Sequence, residues 1–462
     1  MTEQTGAEGA GLFDGVFSRG GTGTGSRAWL RAMLDTEAAL ARALERAGLA
    51  PPGAGAAVTE AAATAPFDPG ALGRRAALSG NPVPALVADL RKAVPQDAAD
   101  TVHRGATSQD IIDTAAMLLA RDALGALAGD LAAAADGCVA LAAAHRDTMM
   151  IGRTLLQQAV PVTFGLVAAG WLTGLDEAAD AVARVRAARL AVQFGGAAGT
   201  LASLGADGPA VAGLLAQEMG LALPVLPWHT DRSRVIDVAA VCAAAAAALS
   251  KIARDVTLLA QSEVGEVREG GGGSGAGERR GGSSAMPHKQ NPVAAIAILG
   301  CTRRVPGLVA TLVAAAEQEH QRAAGAWHAE WEPFADLLRV TGSAAAWGAE
   351  LTGGLVVDPA RMRANLDATR GLPLAERVAG LLVPALGREP AHDLVARASA
   401  HAVAVGVTLR EALLGVPELA GWLDGAGVTS AQIDEALDPA GYLGSARVFT
   451  DAALDAHTRR QK

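Results

Sequence analysis

Between Val235 and Val264 the chain runs without a proline or a glycine, through text dominated by alanine, leucine and valine. Proline and glycine are the residues that end helices, and alanine has the best helix propensity, so this run has to be accommodated as one long helix. Hydrophobic residues make up 50% of the chain, but it has one Tyr, seven Phe and seven Trp. Strand formers are therefore scarce, and small alanine side chains let helices pack closely, which points to an all-α fold. A length of 462 residues implies more than one structural unit.

The same reasoning runs along the chain. Ser26 is placed to cap a helix through Leu30, Met33, Leu34, Leu40 and Leu44, ending at Gly48 before Pro51-Pro52. Further helices are expected over Val83 to Ala93, Ile111 to Ala144, Pro292 to about Glu317, and a fifth long one to about Leu351. Beyond Val356-Asp358-Pro359 the text breaks into shorter helices, with an end expected near Gly441-Tyr442-Leu443-Gly444. Two apolar stretches approach membrane-spanning length, Thr154 to Leu175 and Val238 to Leu249. Gln157, Gln158 and Pro161 interrupt the first and Ser250-Lys251 stop the second, so both read as buried helices of a soluble bundle, with no membrane partner.

A net charge of −9 without a long basic run argues against a nucleic-acid partner. The start, Met-Thr-Glu-Gln, has no basic or apolar leader pattern, and a cytoplasmic protein is expected. Cys138, Cys242 and Cys301 lie far apart in helical text without disulfide or zinc spacing, and read as buried thiols. No metal-ligand cluster or nucleotide loop is apparent, so activity without a cofactor or metal is expected.

Chemistry concentrates in Gly270 to Pro292, GGGGSGAGERRGGSSAMPHKQNP, whose first thirteen residues include eight glycines. Hydroxyls at Ser283 and Ser284, then His288, Lys289 and Asn291-Pro292, follow before an apolar helical run. A glycine-rich flap ending in a nucleophile-type residue, a cation and a helix start has the makings of a catalytic lid. Two other segments stand out. His103-Arg104-Gly105-Ala106-Thr107-Ser108-Gln109-Asp110 puts hydroxyls and free N–H groups where a loop enters a helix, either as an ordinary cap or as a carboxylate site. Gly152-Arg153-Thr154-Leu155-Leu156-Gln157-Gln158 places two amides in a segment that must either pair them in a core or present them to a ligand.

Gly282 to Pro292 resembles the GSSxMPxKxNP signature of the fumarase/aspartase superfamily, and the other two segments resemble its first and second blocks, in the right order. The wording, from about Gly11 to about Ala446, is most similar to the bacterial 3-carboxy-cis,cis-muconate cycloisomerase branch. The resemblance implies an N-terminal helical domain over 1–101, a central bundle of five long helices over 102–355 and a C-terminal helical domain over 356–462. It also implies a homotetramer with each active site built from blocks of different subunits. Ser283 matches the family's catalytic base, with Lys289 stabilising its alkoxide. His103, Thr107, Ser108, Arg153, Thr154, Gln157 and Asn291 fall at substrate-binding positions of a small polycarboxylate. His229, in Pro227-Trp228-His229, is either a site residue or a structural histidine. His320 and His328 read as packing or rim residues, and Gln193 to Thr200 as a tight helix connection bordering the site.

Two departures bear on substrate. Asn81-Pro82 stands where relatives often place a histidine, and Leu155 replaces the histidine of the second block. Superfamily chemistry passes through a carbanion β to a leaving group. An amine or hydroxide must be protonated to leave, whereas a carboxylate of pKa about 4 leaves unaided. Leu155 therefore favours lactone formation and opening over adenylosuccinate cleavage, and tolerates nitrite expulsion from a nitrosuccinate equally. A purely structural, non-catalytic relative is disfavoured by the retention of Ser283, Lys289 and Asn291.

Overall fold

The computed structural model describes residues 11–20, 23–270, 281–282, 286 and 288–461. Among them helices dominate, with two short two-stranded sheets, and the all-α reading holds. The chain divides into two compact units, one of Met1–Ala132, Glu177–Ser250 and Ile296–Ala349, the other of Ala133–Asp176, Lys251–Ala295 and Glu350–Lys462.

The long helices form as expected: Ser108–Ala144, the glycine- and proline-free Ser233–Leu259, and Trp331–Gly354, with 37, 27 and 24 residues. The expected helix from Pro292 to Glu317 is instead two, Val293–Thr302 and Val305–Ala314. Pro306 takes a first-turn position of the second, where its missing N–H costs nothing, and the ladder is interrupted just ahead of it. Ser108–Ala144, Ser233–Leu259 and the Val293–Ala314 stretch are long and apolar enough to cross a membrane by length and composition. Of the two stretches singled out from sequence, Val238 to Leu249 lies within the second of these helices and Thr154 to Leu175 within none of them.

In the first unit, Ser26–Arg46 buries Leu30, Met33, Leu34, Leu40 and Leu44. Ser26 is its first helical residue rather than its cap; Gly25 holds the cap position without a side-chain hydrogen bond. Gly48, at φ 74°, ends the helix, and the Leu49 N–H closes on the Leu44 carbonyl at 2.9 Å. Helix Ala54–Thr64 packs so closely that a Cβ on Gly55 would lie 2.9 Å from the Arg42 Cα. Val83–Ala93 forms as expected.

A buried charge cluster joins the start of three long helices of this unit. Arg232, 3% exposed, donates through Nη1 and Nη2 to Asp113 at 2.8 and 3.0 Å and through Nη2 to Glu330 at 2.6 Å. Trp327 Nε1 and Gln109 Nε2 add bonds to Asp113, and Gln318 Nε2 to Glu330. One cation thus serves two buried carboxylates. Burial pushes the Glu330 carboxyl up to about 7, against the pull of Arg232.

In the second unit, the stretch expected as a helix from Thr154 is a β-hairpin, Met149–Thr154 against Gln157–Thr163, followed by helix Phe164–Ala188. Thr154 pairs with Gln157 across a two-residue turn at Leu155 and Leu156, with φ of 51° and 64°. Positive φ at both central residues is the geometry whose twist suits a tight hairpin, although leucine seldom adopts it. A second small sheet pairs Val267–Glu269 with Leu355–Val357.

Val378, Leu382, Leu394, Leu409, Leu413 and Ile433 form a separate core for the shorter C-terminal helices. The helical structure does not end at the expected Gly441-Tyr442-Leu443-Gly444. Helix Ala446–Arg460 follows, tied by Arg146 to Asp451 at 2.7 and 2.6 Å and by His457 to Asp176 at 2.8 Å. The three cysteines are buried, as expected, and burial pushes Cys138 and Cys242 up to about 12.

Glu330 gives a stability test with a definite sign. Its folded value lies above its ordinary 4.5, so the folded state holds a proton that the unfolded state releases. This contribution is complete below about pH 4.5 and is lost as pH rises through about 7. Urea denaturation from pH 5 to 8 is expected to show declining stability that Glu330→Gln flattens. Arg232→Met, which strands two buried carboxylates, is expected to cost about 3–5 kcal/mol.

Candidate active site

The first block belongs to the first unit, and its organiser is Asp110. This carboxylate, 1% exposed, accepts from the N–H groups of Thr107 at 3.0 Å, Gly195 at 3.0 Å and Gly196 at 2.9 Å, and contacts His229 Nε2 at 2.7 Å. Three residues into Ser108–Ala144, it bonds back to the loop while gathering the glycine segment. The expected border segment is therefore fastened to the first block itself. Gly195 has to be glycine because a Cβ would lie 2.7 Å from Pro227 and 2.8 Å from the His229 ring.

His229 is 4% exposed and its carbonyl accepts from Gln109 at 2.8 Å, which gives it a packing role in this network. His103 has φ 63° and lies 2.6 Å through Nδ1 from Glu37, which is fully buried and also accepts the His103 N–H at 3.0 Å. Arg322 donates to Thr107 Oγ1 at 2.9 Å and to the Ala197 carbonyl at 2.8 Å. Ser108 opens the helix. Arg104, beside His103, donates to the Leu49 carbonyl. His320 and His328 are exposed, and His328 lies tilted against Trp331 at 4.8 Å between ring centres, consistent with rim packing.

The second and third blocks belong to the second unit. Thr154, Leu155, Leu156, Gln157 and Gln158 are all exposed at the hairpin tip, so neither amide is satisfied in a core. Arg153 turns inward and meets Glu266 end-on, Nη1 to Oε2 at 2.8 Å and Nη2 to Oε1 at 2.7 Å. A bulge between Ile151 and Arg153 makes this possible, and it falls on Gly152, where a Cβ would sit 2.7 Å from the Val160 carbonyl.

The signature loop has a well-defined neck. Asn291 donates its N–H and its Nδ2 to the Gly281 carbonyl at 2.9 and 3.1 Å, and Gly282 bridges to Gln290. Gly281 has φ 80°, and a Cβ there would lie 2.3 Å from the Asn291 oxygen. Behind the neck, Glu269 accepts from the N–H groups of Ala294 at 3.1 Å and Ala295 at 2.9 Å. The N-terminus of Val293–Thr302 is thus filled by a protein carboxylate. A substrate carboxylate here would be held by side chains. Ser283 lies outside the described residues.

A cavity of about 600 Å³ opens beside the neck, lined by Gln261, Arg268, Glu269, His288, Lys289 and Asn291 among others. A second, of about 610 Å³, lies under the hairpin, lined by Arg153, Leu156, Trp171, Lys251, Asp255 and Gln261. Gln261 contributes to both. Lys289 and Asn291 are therefore together, and Arg153 is on the adjoining cavity. Sequence reasoning missed Asp110, Glu266 and Glu269. Asp110 stood inside a quoted block, and the Glu266-Val267-Arg268-Glu269 run just ahead of the glycines was the available signal for the other two.

Fold and blocks together define a lyase of the fumarase/aspartase type, and the comparisons agree: the family described as Lyase matches residues 24–307, and the one described as Adenylosuccinate lyase C-terminus matches 371–453. The chain belongs to this superfamily and is an enzyme of it. Among its relatives are a 3-carboxy-cis,cis-muconate cycloisomerase of Bradyrhizobium diazoefficiens, 46% identical with 94% of each chain covered, and a nitrosuccinate lyase of Streptomyces davaonensis, 47% identical over 92% of this chain and 90% of that one. The crystal structure of the 3-carboxy-cis,cis-muconate lactonizing enzyme from Pseudomonas putida superposes with a TM-score of 0.89 at 42% identity, covering 98% of this chain and all of that one.

Gly281→Ala tests the neck directly. The added methyl collides with the Asn291 carbonyl and strains a positive φ, so turnover is expected to fall at least about ten-fold. The C-terminal helical core is remote in sequence and separately packed, so the thermal midpoint is expected to move by only a few degrees.

Proposed function

We propose that the enzyme interconverts 3-carboxy-cis,cis-muconate and a carboxymuconolactone, a step of aromatic-compound catabolism. The observation that carries this reading is the full-length match to the lactonizing enzyme, in structure as well as sequence. The cavity beside the neck fits the substrate class, since Arg268 and Lys289 bring cationic groups, and His288 a hydrogen-bonding imidazole, to a space large enough for a small tricarboxylate.

In the forward direction one carboxylate of the diene adds to the conjugated double bond, and the resulting carbanion is protonated. Ser283 is the proposed donor, and it removes the same proton in the reverse direction. A serine hydroxyl is a weak base, and its alkoxide needs a nearby cation and N–H donors; Lys289 and the glycine-rich flap are the proposed sources. Lys289 and Asn291 would hold the carboxylate on which negative charge accumulates. His103, Thr107, Ser108, Thr154 and Gln157 are proposed substrate contacts. His229 is proposed to act through Asp110 on the first block rather than on substrate.

We also propose the three-domain organisation and a cytoplasmic homotetramer with shared sites. The exposed Leu155-Leu156 tip, at 96% and 73%, supports the assembly, because a second copy would cover that apolar surface. The tetramer would likewise cover the apolar helices, which favours a soluble enzyme over a membrane protein.

The 47% identity to a nitrosuccinate lyase favours a second reading, expulsion of nitrite from nitrosuccinate. Both reactions have an acidic leaving group and both suit Leu155.

The deciding assay follows diene absorbance of 3-carboxy-cis,cis-muconate and, in parallel, nitrite release from nitrosuccinate, with chelator present. Loss of diene absorbance by the wild type, reduced roughly 10²- to 10⁴-fold in Ser283→Ala, is expected. Nitrite release with a silent diene would replace the cycloisomerase reading by the lyase. Undiminished turnover in Ser283→Ala would remove that residue from the mechanism. Adenylosuccinate is expected to remain intact.

A further inference from the structure

Arg153 is placed by family pattern where a substrate contact is expected, yet the structure gives it a buried counter-ion. Glu266 is fully buried, and both its oxygens are committed: Oε2 to Arg153 Nη1, Oε1 to Arg153 Nη2 and, at 2.8 Å, to Asn365 Nδ2. An end-on ion pair of this kind has no net charge to offer an anion, and it is among the geometrically most specific contacts a protein makes. Its backbone is fixed as well. The Glu266 N–H donates to the Leu259 carbonyl at 2.9 Å, and its own carbonyl accepts from the Asp358 N–H at 2.9 Å.

The surroundings extend the arrangement in both directions. Helix Pro359–Asp367 clamps the segment ahead of Glu266, with Arg361 donating to the carbonyls of Glu263 at 2.7 Å and Val264 at 2.9 Å, and Asn365 to Val264 at 2.8 Å. Residue 267 begins the strand Val267–Glu269, whose last carboxylate caps the helix behind the signature loop. Arg153 is the penultimate residue of its strand, next to Thr154 at the hairpin turn.

We propose that Glu266, seated by Asn365, is a positioning residue for the reaction: by holding Arg153 it fixes the Thr154–Gln157 end of the second block against the strand that feeds the signature loop. Arg153 acts here as the grip of that contact and not as the cation that attracts substrate. This rests on the proposed active site, but on neither choice of substrate.

The two roles of Arg153 make opposite demands on one variant. Glu266→Gln keeps the shape and removes the counter-charge. A positioning role predicts that kcat falls, roughly ten- to hundred-fold as expected for a displaced catalytic segment, with KM within about three-fold. A charge-attraction role predicts the reverse, because the unmasked Arg153 would bind the anion more tightly: KM falls and kcat is kept. Asn365→Ala is expected to show a smaller loss of the same kind, and Arg153→Lys, which keeps the charge and loses the two-pronged contact, a loss like that of Glu266→Gln.

Amide hydrogen exchange reads the same claim without turnover. In Glu266→Gln, exchange is expected to rise in 150–158 and 267–269 while the core around Val378, Leu394 and Leu413 keeps its protection. Faster exchange confined to those segments supports the proposal whichever substrate the wild type takes, or if it takes neither. Unchanged exchange there, or an unchanged kcat in an active enzyme, overturns it. General loss of protection would mark Glu266 as a residue of stability alone, which also overturns it.

Discussion

A carboxylate taken out of water has to be given back its hydrogen bonds, and each unit of this protein turns that requirement into a means of placing a functional block. Asp110 recovers its partners from Thr107, Gly195, Gly196 and His229. Glu266 recovers them from Arg153 and Asn365. Apart from Thr107, these partners come from segments distant in the chain. An unpaired buried donor costs about 1–3 kcal/mol, so none of these segments can drift without a penalty comparable to a sizeable share of total stability. Alanine-rich helices supply a rigid frame, but a frame of small apolar side chains cannot specify where a loop goes. The buried carboxylates do.

The signature loop follows the same logic, with neutral groups at its neck and a carboxylate behind it. Its two ends are joined by an amide side chain and a glycine whose positive φ admits no Cβ, and its exit is anchored by Glu269 at a helix N-terminus. The contacts of Gly281 and Asn291 lie within a few residues of Lys289, so the cation is held near the neck.

The helical frame was legible because its signals are local. Absence of glycine and proline, alanine content and 3.6-residue spacing gave Ser233–Leu259 and Val83–Ala93 nearly to their ends. The hairpin was not legible. Its turn is Leu155-Leu156, which carries none of the Asn-Gly or Gly-Gly chemistry that announces two positive φ values, and Pro161 within a strand argued against a strand. What holds it is the bulge at Gly152 and pairing across the turn, both tertiary facts. The third block was legible down to Lys289 and Asn291 through its motif. Glu37, Asp110 and Glu266 were not, since a carboxylate in a sequence does not disclose which distant group will share its burial.

Leu155 brings the chemistry and the conformation to one point. Its φ of 51° is one that leucine adopts at a cost, and at 96% exposure no packing within the chain offsets it. Asparagine, glycine or histidine would suit the turn better. Local folding therefore gives no reason for leucine here, and the reason has to lie in what the tip meets. In the proposed shared site, an apolar side chain beside the reacting carbons would exclude water and could not donate a proton. That combination is useless to a reaction that must protonate its leaving group. It is an advantage to one whose leaving group is already a stable anion, because water excluded from the carbanion cannot protonate it from the wrong side. The proposed preference for an acidic leaving group rests on the absence of a histidine, and the strained, exposed turn is what would be expected if leucine is kept there for what the tip meets.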